Sequence, residues 1–305
     1  MKPIKRLMAV VVAVLGSQPC LRAQESVITS FSGNGTLAWT SAVPNTLCHV
    51  EWASTLTSGW SRSWSALQGV VATGTVTQVA VPMFYRVVSV SNAPSDSLIA
   101  YYPLDGNLID YSGNANNGTP VGVSFTTDRH GHQGHAMIVY YPHAAFLPSA
   151  VFSSLTDFSI TAWIKLETLW GINHALSVAN AVTDNELTIS YVPASDFFRC
   201  FVRNTIVTFA SASAVEDLGW HHLAFTRNGT TAALYLDGSL YPASGAVPGS
   251  ALVVAEGGVV IGEDQDSIGG GFETSQSLAG RIDELRIYSR ALSSNEVRTA
   301  YDLSR

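Results

Sequence analysis

Gly280-Arg281-Ile282-Asp283-Glu284-Leu285-Arg286-Ile287-Tyr288, continued by Ser289-Arg290-Ala291-Leu292, is the stretch whose reading decides the fold. From Ile282 onward alternate residues form two sets. Ile282, Glu284, Arg286 and Tyr288 make one, and Asp283, Leu285, Ile287 and Ser289 the other. A period of two predicts a strand. Neither set is cleanly apolar, because Ile282 and Tyr288 stand opposite Leu285 and Ile287. A strand covered on both faces has this composition. Ser293 with Glu296 three residues on is a capping box. It opens a short helix whose inward residues are expected to be Val297, Ala300 and Tyr301.

Working outward, residues 98–104, 158–165, Leu187–Val192, 199–203, 220–226, 232–238 and 259–262 read as short apolar strands. Asn228-Gly229 is a hairpin signal between two of them. Many short strands broken by Gly, Asn and Asp turns, with one terminal helix, predict an antiparallel sandwich.

The closing strand followed by Arg290-Ala291-Leu292-Ser293 resembles the end of a laminin G-like domain of the concanavalin A-like lectin/glucanase group. The opening, Asp105-Gly106-Asn107 and Asp110-Tyr111-Ser112-Gly113-Asn114, resembles that family's D-G-N…D-x-S-G-N. Asp128-Arg129-His130-Gly131 resembles its D-R-x-G segment. Residues 158–165 match F-S-I-x-A-W-I-K, and Trp220-His221-His222 with Leu234-Tyr235-Leu236-Asp237-Gly238 match W-H-H-x-A…L-Y-x-D-G. After Ala136 the family carries an F-D-G acid; here the text is Met137-Ile138-Val139-Tyr140-Tyr141-Pro142-His143, without one. The resemblance implies an all-β, concanavalin A-like jelly-roll sandwich over 98–305. It does not name a ligand, since one fold hosts many functions.

Ahead of it, residues 25–92 read as a small β-domain, with strands at Val27–Phe31, 36–40, Cys48–Ala53, 76–81 and 84–90 and a hairpin signal at Asn34-Gly35. It resembles a short module found ahead of other domains in secreted bacterial proteins and, distantly, a fibronectin-like sandwich. Trp39 and Trp52 are expected to fill its core, and Trp60 and Trp64, in a Ser-rich stretch, to be more exposed. Sugar stacking is the other use of such rings. Residues 93–97 are a linker by composition.

Residues 1–24 read as a secretory signal peptide: Lys2, Lys5 and Arg6, then a short apolar run to Leu15, then Arg22-Ala23-Gln24. The run is too short to span a bilayer, and no later one is long enough. The expectation is a secreted, extracellular or periplasmic protein with no membrane insertion after signal removal. Processing removes four basic residues and no acids, so the charge of −7 becomes −11. Such a balance argues against nucleic acid and anionic membrane surfaces as partners. Cys48 and Cys200 remain. Export permits a bridge between them, and two buried free thiols is the reading taken.

Three constellations bear on chemistry. His130, His132 and His135 have spacings that can place imidazoles on one metal. The family loop carries no ligands, and a polar loop is the reading taken. His221 and His222 point to opposite faces of a strand, with His222 expected to be a hydrogen-bonded core residue. Glu263-Asp264-Gln265-Asp266, before Gly269-Gly270-Gly271, has carboxylates that suit calcium but is read as a solvated loop near a rim where lectin relatives hold ligands. No E-x-D-x-E strand places paired carboxylates on one face for glycoside hydrolysis, and no nucleophile, zincin or nucleotide motif occurs.

The expectation is a non-catalytic binding protein for a glycan or another cell-surface ligand. A structural or adhesive protein recognising protein is one alternative, and a hydrolase with an unfamiliar site the other. By analogy with the related glucanases, a structural calcium is expected to join Asp283 of the last strand to Asp105 of the opening loop. Against it stands an ion pair of Asp283 with Arg281 or Arg286.

Overall fold

A computed structural model describes residues 27–31, 37–40, 48–53, 84–89, 97–210 and 214–304. The signal-peptide region, the Asn34-Gly35 turn, the strand expected at 76–81, Trp60, Trp64 and residues 93–96 lie outside them. The chain divides into two compact units, Met1–Ser91 and Asn92–Arg305.

In the first unit, β1 (Val27–Phe31) pairs with β2 (Leu37–Thr40), and β3 (Cys48–Ala53) with β4 (Phe84–Ser89), both antiparallel. Trp52 and Ala53 are buried, which agrees with a core role for Trp52.

The second unit is a sandwich of two antiparallel sheets. Its strands are β5 (Leu98–Tyr102), β6 (Thr119–Val121), β7 (Ser124–Thr126), β8 (Ala136–Val139), β9 (Ala144–Phe146), β10 (Phe158–Leu166), β11 (Asn173–Val178), β12 (Leu187–Val192), β13 (Phe197–Val202), β14 (Thr205–Ala210), β15 (His221–Asn228), β16 (Thr231–Leu236), β17 (Ser239–Pro242), β18 (Val259–Ile261) and β19 (Gly280–Tyr288). One sheet runs β17-β16-β15-β10-β19-β8-β7, with β5 also pairing to β19; the other runs β14-β13-β12-β11-β18-β9-β6. The order is a jelly roll. Alternate residues of facing strands make the core: Ile160, Ala162 and Ile164 of β10 and Leu285 and Ile287 of β19 meet Leu187, Ile189 and Tyr191 of β12 and Phe198, Cys200 and Val202 of β13. Cys200 is a buried free thiol, as expected.

The last strand departs from simple alternation. Its register against β10 slips between Trp163 and Thr161, where Glu284 takes a left-handed φ of 57°. This β-bulge inserts one residue and restores the face. Ile282, Leu285 and Ile287 therefore all point into the core. Tyr288 points outward, where it packs with Ala224, Tyr235, Leu292 and Val297. The bulge corrects the two sequence sets, which placed Ile282 opposite Leu285, and explains why neither was clean.

Helix α1 (Ser294–Ser304) covers that outer face. Its capping box is formed: Ser293 N donates to Glu296 Oε2 at 2.8 Å, and Glu296 N donates to Ser293 Oγ at 3.3 Å. Val297 is fully buried, and Ala300 and Tyr301 are half-buried. Chemical denaturation checks this hierarchy. Ile287→Ala should cost roughly 2–5 kcal/mol as a buried large-to-small change, and Ser293→Ala only about 1 kcal/mol as a lost cap.

Candidate functional site

The bulge turns Asp283 out of the core and under the C-terminal helix. Arg129 Nη1 donates to Asp283 Oδ2. Arg129 Nε donates to Ser304 O at 2.7 Å, and the guanidinium lies 5.1 Å from the centroid of the Trp163 ring. Trp163 Nε1 donates to Ser304 Oγ at 2.9 Å. Burial pushes the Asp283 carboxyl up to about 7, against the pull of Arg129.

Asp105, the second expected calcium ligand, is about half-exposed and meets His135 Nδ1 at 2.8 Å. Its charge acts on Asp283, so the two carboxylates share one neighbourhood, and each already faces a cationic or imidazole partner. The expected ion pair of Asp283 with Arg281 or Arg286 is replaced by Arg129. Arg281 goes to Glu167 at 2.7 Å and Arg286 to Glu284. Arg129 was legible only as part of the Asp128-Arg129-His130-Gly131 segment, without a role.

His222 also faces the helix and is 2 % exposed. Its ring packs against Trp163 and Tyr301, with centroids 5.5 and 6.1 Å away. Its Nδ1 has no hydrogen-bond partner among the described residues. The expected core placement holds, and the expected hydrogen bond is absent at Nδ1, which sits among aromatic rings. His221, on the opposite face, stands between Asp237 and Asp217, at 2.9 Å from each.

The acidic loop before β19 is not simply solvated. Gly262, with φ 93°, turns the chain out of β18. A Cβ there would meet Val139 Cγ1 at 2.5 Å. The loop then folds back over the outer face of the second sheet. Gln265 Nε2 donates to Ser177 O at 3.0 Å and Gly258 O at 3.1 Å, and Gly269 N donates to Gln265 Oε1 at 2.9 Å. Glu263 and Gln265 are buried, Asp264 half-buried and Asp266 exposed. The solvated reading fails at the first and third positions because alternate loop residues pack down on the sheet. Burial pushes Glu263 up to about 7.

Asp264 and Asp266 face a second loop, between β11 and β12. There Asn180 Oδ1 accepts from Val182 N and Thr183 N at 2.7 and 2.9 Å, and Asn180 Nδ2 donates to Glu186 Oε2 at 2.8 Å. This fixes the approach to Asp184. Between the loops lies a cleft of about 520 Å³, lined by Asn180, Thr183, Asp184, Asn204, Asp266, Ser267 and neighbouring aliphatic residues. Asp264 adjoins it. Its carboxyl is pushed up by burial, against hydrogen bonds from Gln265 N and Ser177 and the pull of Arg199, with Asp184 adding a smaller push upward. Asp266 is pushed up by burial, then by Asp264 and Asp184. The three carboxylates thus repel one another across two loops.

His174 sharpens the case. Burial and then Arg199 push it down to about 3, so it is neutral at pH 7. Nδ1 lies 3.1 Å from Gln276 O and must donate there, which leaves Nε2 a lone pair. That lone pair lies 3.5 Å from Asp264 Oδ2. Nearby on the sheet, Arg199 Nε and Thr188 Oγ1 lack partners among the described residues. Asp184 was not singled out in the sequence, because it lies in a short polar run, Thr183-Asp184-Asn185, far along the chain from the acidic loop. Among the described residues, no three His, Cys, Asp or Glu side chains are gathered closely enough to hold a metal by themselves.

Fold and cleft together define a lectin-type sandwich with a polar rim site. The family model of the concanavalin A-like lectin/glucanases superfamily matches residues 141–298, and the chain belongs to that superfamily. C-reactive protein 1.1 of Limulus polyphemus is 30% identical over 149 residues, spanning 47% of this chain and 61% of that protein. Pentraxin-4 of Homo sapiens is 26% identical over 161 residues, spanning 51% and 33%. The chain thus covers less than two thirds of these relatives. Domain 4 of AbnA, an extracellular arabinanase from Geobacillus stearothermophilus, in complex with arabinotriose, superposes with a TM-score of 0.52 at 23% identity, covering 68% of this chain and 98% of that one. The binding domain of Paraclostridial Mosquitocidal Protein 1 gives 0.53 at 18%, covering 69% and 53%. These two likenesses are of fold.

The buried imidazole of His222 generates a pH prediction. Burial pushes it from 6.5 down to about 3. The unfolded chain then takes up this proton first, so stability held above pH 6.5 is lost as pH falls toward 3. Equilibrium unfolding at stepped pH should show a shallower acid slope for His222→Gln than for the parent protein.

Proposed function

We propose that this is a secreted, non-catalytic glycan-binding protein whose ligand seats in the cleft between residues 180–184 and 264–268. The observation that carries the reading is the polar cleft itself, lined by Asp184 and Asp266 with Asp264 beside it, so that like charges act on one another there. A calcium ion with oxygen ligands from these carboxylates and nearby carbonyls or amides would relieve the repulsion. When bound, it would supply a Lewis-acidic centre for sugar hydroxyls. The chain's own part is recognition: Asn180, Asn204 and Ser267 offer directional hydrogen bonds, and Val182 and Ile268 offer apolar contact. The arabinotriose held by the arabinanase domain is consistent with a sugar ligand on this fold.

The expected calcium at Asp105 and Asp283 is the rival cation site. It requires displacing Arg129 from Asp283 and His135 from Asp105, and losing a paired partner inside a covered face is costly. Asp266, by contrast, is exposed and lines the cleft. Hydrolysis is the rival activity, since Asp184 and Asp266 line one cleft. Against it, the acids come from two loops rather than alternate positions of a strand.

A glycan array probed with the full secreted chain tests the function. Binding should appear in calcium, fall on chelation, and be lost in Asp184→Asn and Asp266→Asn. Calcium should raise the melting temperature of the parent and of Asp283→Asn alike, by ligand linkage. A calcium response lost only in Asp283→Asn would move the ion to the rival site. Reducing-sugar release that Asp184→Asn or Asp266→Asn abolishes would overturn the non-catalytic reading.

We also propose the organisation read from the sequence: signal peptide 1–24, small β-domain 25–92, linker 93–97 and lectin-like domain 98–305. Limited proteolysis should cut first at or beside 93–97, and a first cut inside β10 would refute the boundary.

A further inference from the structure

A second constellation lies on the other sheet, in the loop between β7 and β8, and the cleft function makes no use of it. Asp128 organises this loop. Its Oδ1 accepts from His130 N at 2.8 Å and His132 N at 2.7 Å. Gly131 and Gly134, at φ 88° and 84°, allow the tight path. Three imidazoles result side by side: the ring centroids of His130 and His132 are 6.0 Å apart, and those of His132 and His135 are 5.6 Å apart.

Two of the rings are fixed by carboxylates. His132 Nδ1 lies 3.0 Å from Asp128 Oδ2, and His135 Nδ1 lies 2.8 Å from Asp105 Oδ1. A carboxylate only accepts, so each Nδ1 carries the hydrogen and each neutral ring presents Nε2 as a lone pair. This carboxylate–imidazole pairing orients histidines at metal centres and raises their basicity. The side chains of His132 and His135 are 64 % and 49 % exposed, so their Nε2 edges are open to solvent.

We infer that His132 and His135 form a two-imidazole surface site for a divalent transition metal, with Zn2+ as its probe. Zinc bound by Nε2 of two imidazoles in a tetrahedral shell sets their ring centres roughly 5 Å apart. The observed spacings are slightly larger. As placed, the three rings do not meet at one ligating focus. Two imidazoles with their Nδ1 atoms already held are enough, and water would fill the remaining positions of the shell. Borderline-soft imidazole nitrogens favour zinc, copper or nickel over calcium, which separates this site from the oxygen-lined cleft.

The charges around it fit a cation. Asp128, Asp105 and Glu284 are close by, and Glu284 acts on His130. Arg129 is the opposing charge, and its Nη1 is committed to Asp283 on the buried side. The site therefore departs from the polar-loop reading on geometry that the spacing alone did not contain: two rings already fixed at Nδ1 by acids from separate loops.

The test uses the full secreted chain, purified without a histidine tag and stripped of metal. Zinc titration by calorimetry at pH 7.5 should give one site per chain, and its affinity should fall on acidification, because metal binding competes with protons. His132→Ala and His135→Ala should each weaken zinc by at least about tenfold, and Asp105→Asn and Asp128→Asn by about 10- to 100-fold through lost orientation. His221→Ala and Asp266→Asn should leave zinc affinity unchanged. Circular dichroism of the histidine variants, whose replaced rings are exposed, should match the parent. Absence of a zinc isotherm, or an isotherm that survives His132→Ala with His135→Ala, overturns the site.

Discussion

The second unit depends on one inserted residue. Without the bulge at Glu284, strand alternation would put Ile282 and Leu285 on opposite faces, and either the core or the helix-covered face would hold the wrong set. With it, β19 serves three partners: β10 along its length, β8 at its start and β5 at its end. The left-handed φ of Glu284 costs some strain. Two contacts hold the side chain: Tyr101 OH donates to Glu284 Oε2 at 2.9 Å, and Arg286 Nη2 also donates there. The Arg286 guanidinium stacks 4.1 Å from the Tyr101 ring centroid. The same residue that breaks the alternation thus ties the first strand of the domain to the last.

The outer face follows from that placement. Asp283 emerges beside the covering helix, and a lone carboxylate there would be expensive. Arg129 arrives from the β7–β8 loop to meet it, and the guanidinium is shared with Trp163 and the helix end. The helix is therefore anchored polar-to-polar at Ser304 and by apolar burial at Val297. This arrangement explains why the Asp128–Arg129 pair divides its labour. Asp128 shapes the loop above, and Arg129 reaches down beneath it.

Much of this was legible in the sequence where a pattern was local. The capping box at Ser293 and Glu296, the hairpin at Asn228-Gly229 and the β10 strand each announce themselves within ten residues. The bulge did not, because it shows only as an imperfect alternation that burial on both faces explains equally well. Short strands such as β6, β7 and β9, three residues each, carry too little periodicity to be seen. The cleft was half legible. Asp264 and Asp266 stood out as an acidic run, but Asp184 lies about eighty residues earlier, and only the packing of two loops brings it to them. Arg129 as partner of Asp283 was hidden for the same reason: contact across 154 positions is set by topology.

The two candidate sites therefore differ in kind. At the rim cleft, carboxylates gather on two loops whose shape is held by Gln265, bound to backbone, and by Asn180, bound to backbone and to Glu186. That arrangement stores repulsion which an oxygen-seeking cation or a hydroxyl-rich ligand relieves. At the β7–β8 loop Asp128, and Asp105 from the opening loop, are each already matched to an imidazole, and what remains is nitrogen lone pairs. Hard and borderline cations discriminate between such surroundings by ligand type before geometry. One chain thus presents oxygen donors on the outer face of one sheet and nitrogen donors beside the other. The Asp283–Arg129 pair stands on the β7–β8 side, where the guanidinium compensates a carboxylate buried under the helix.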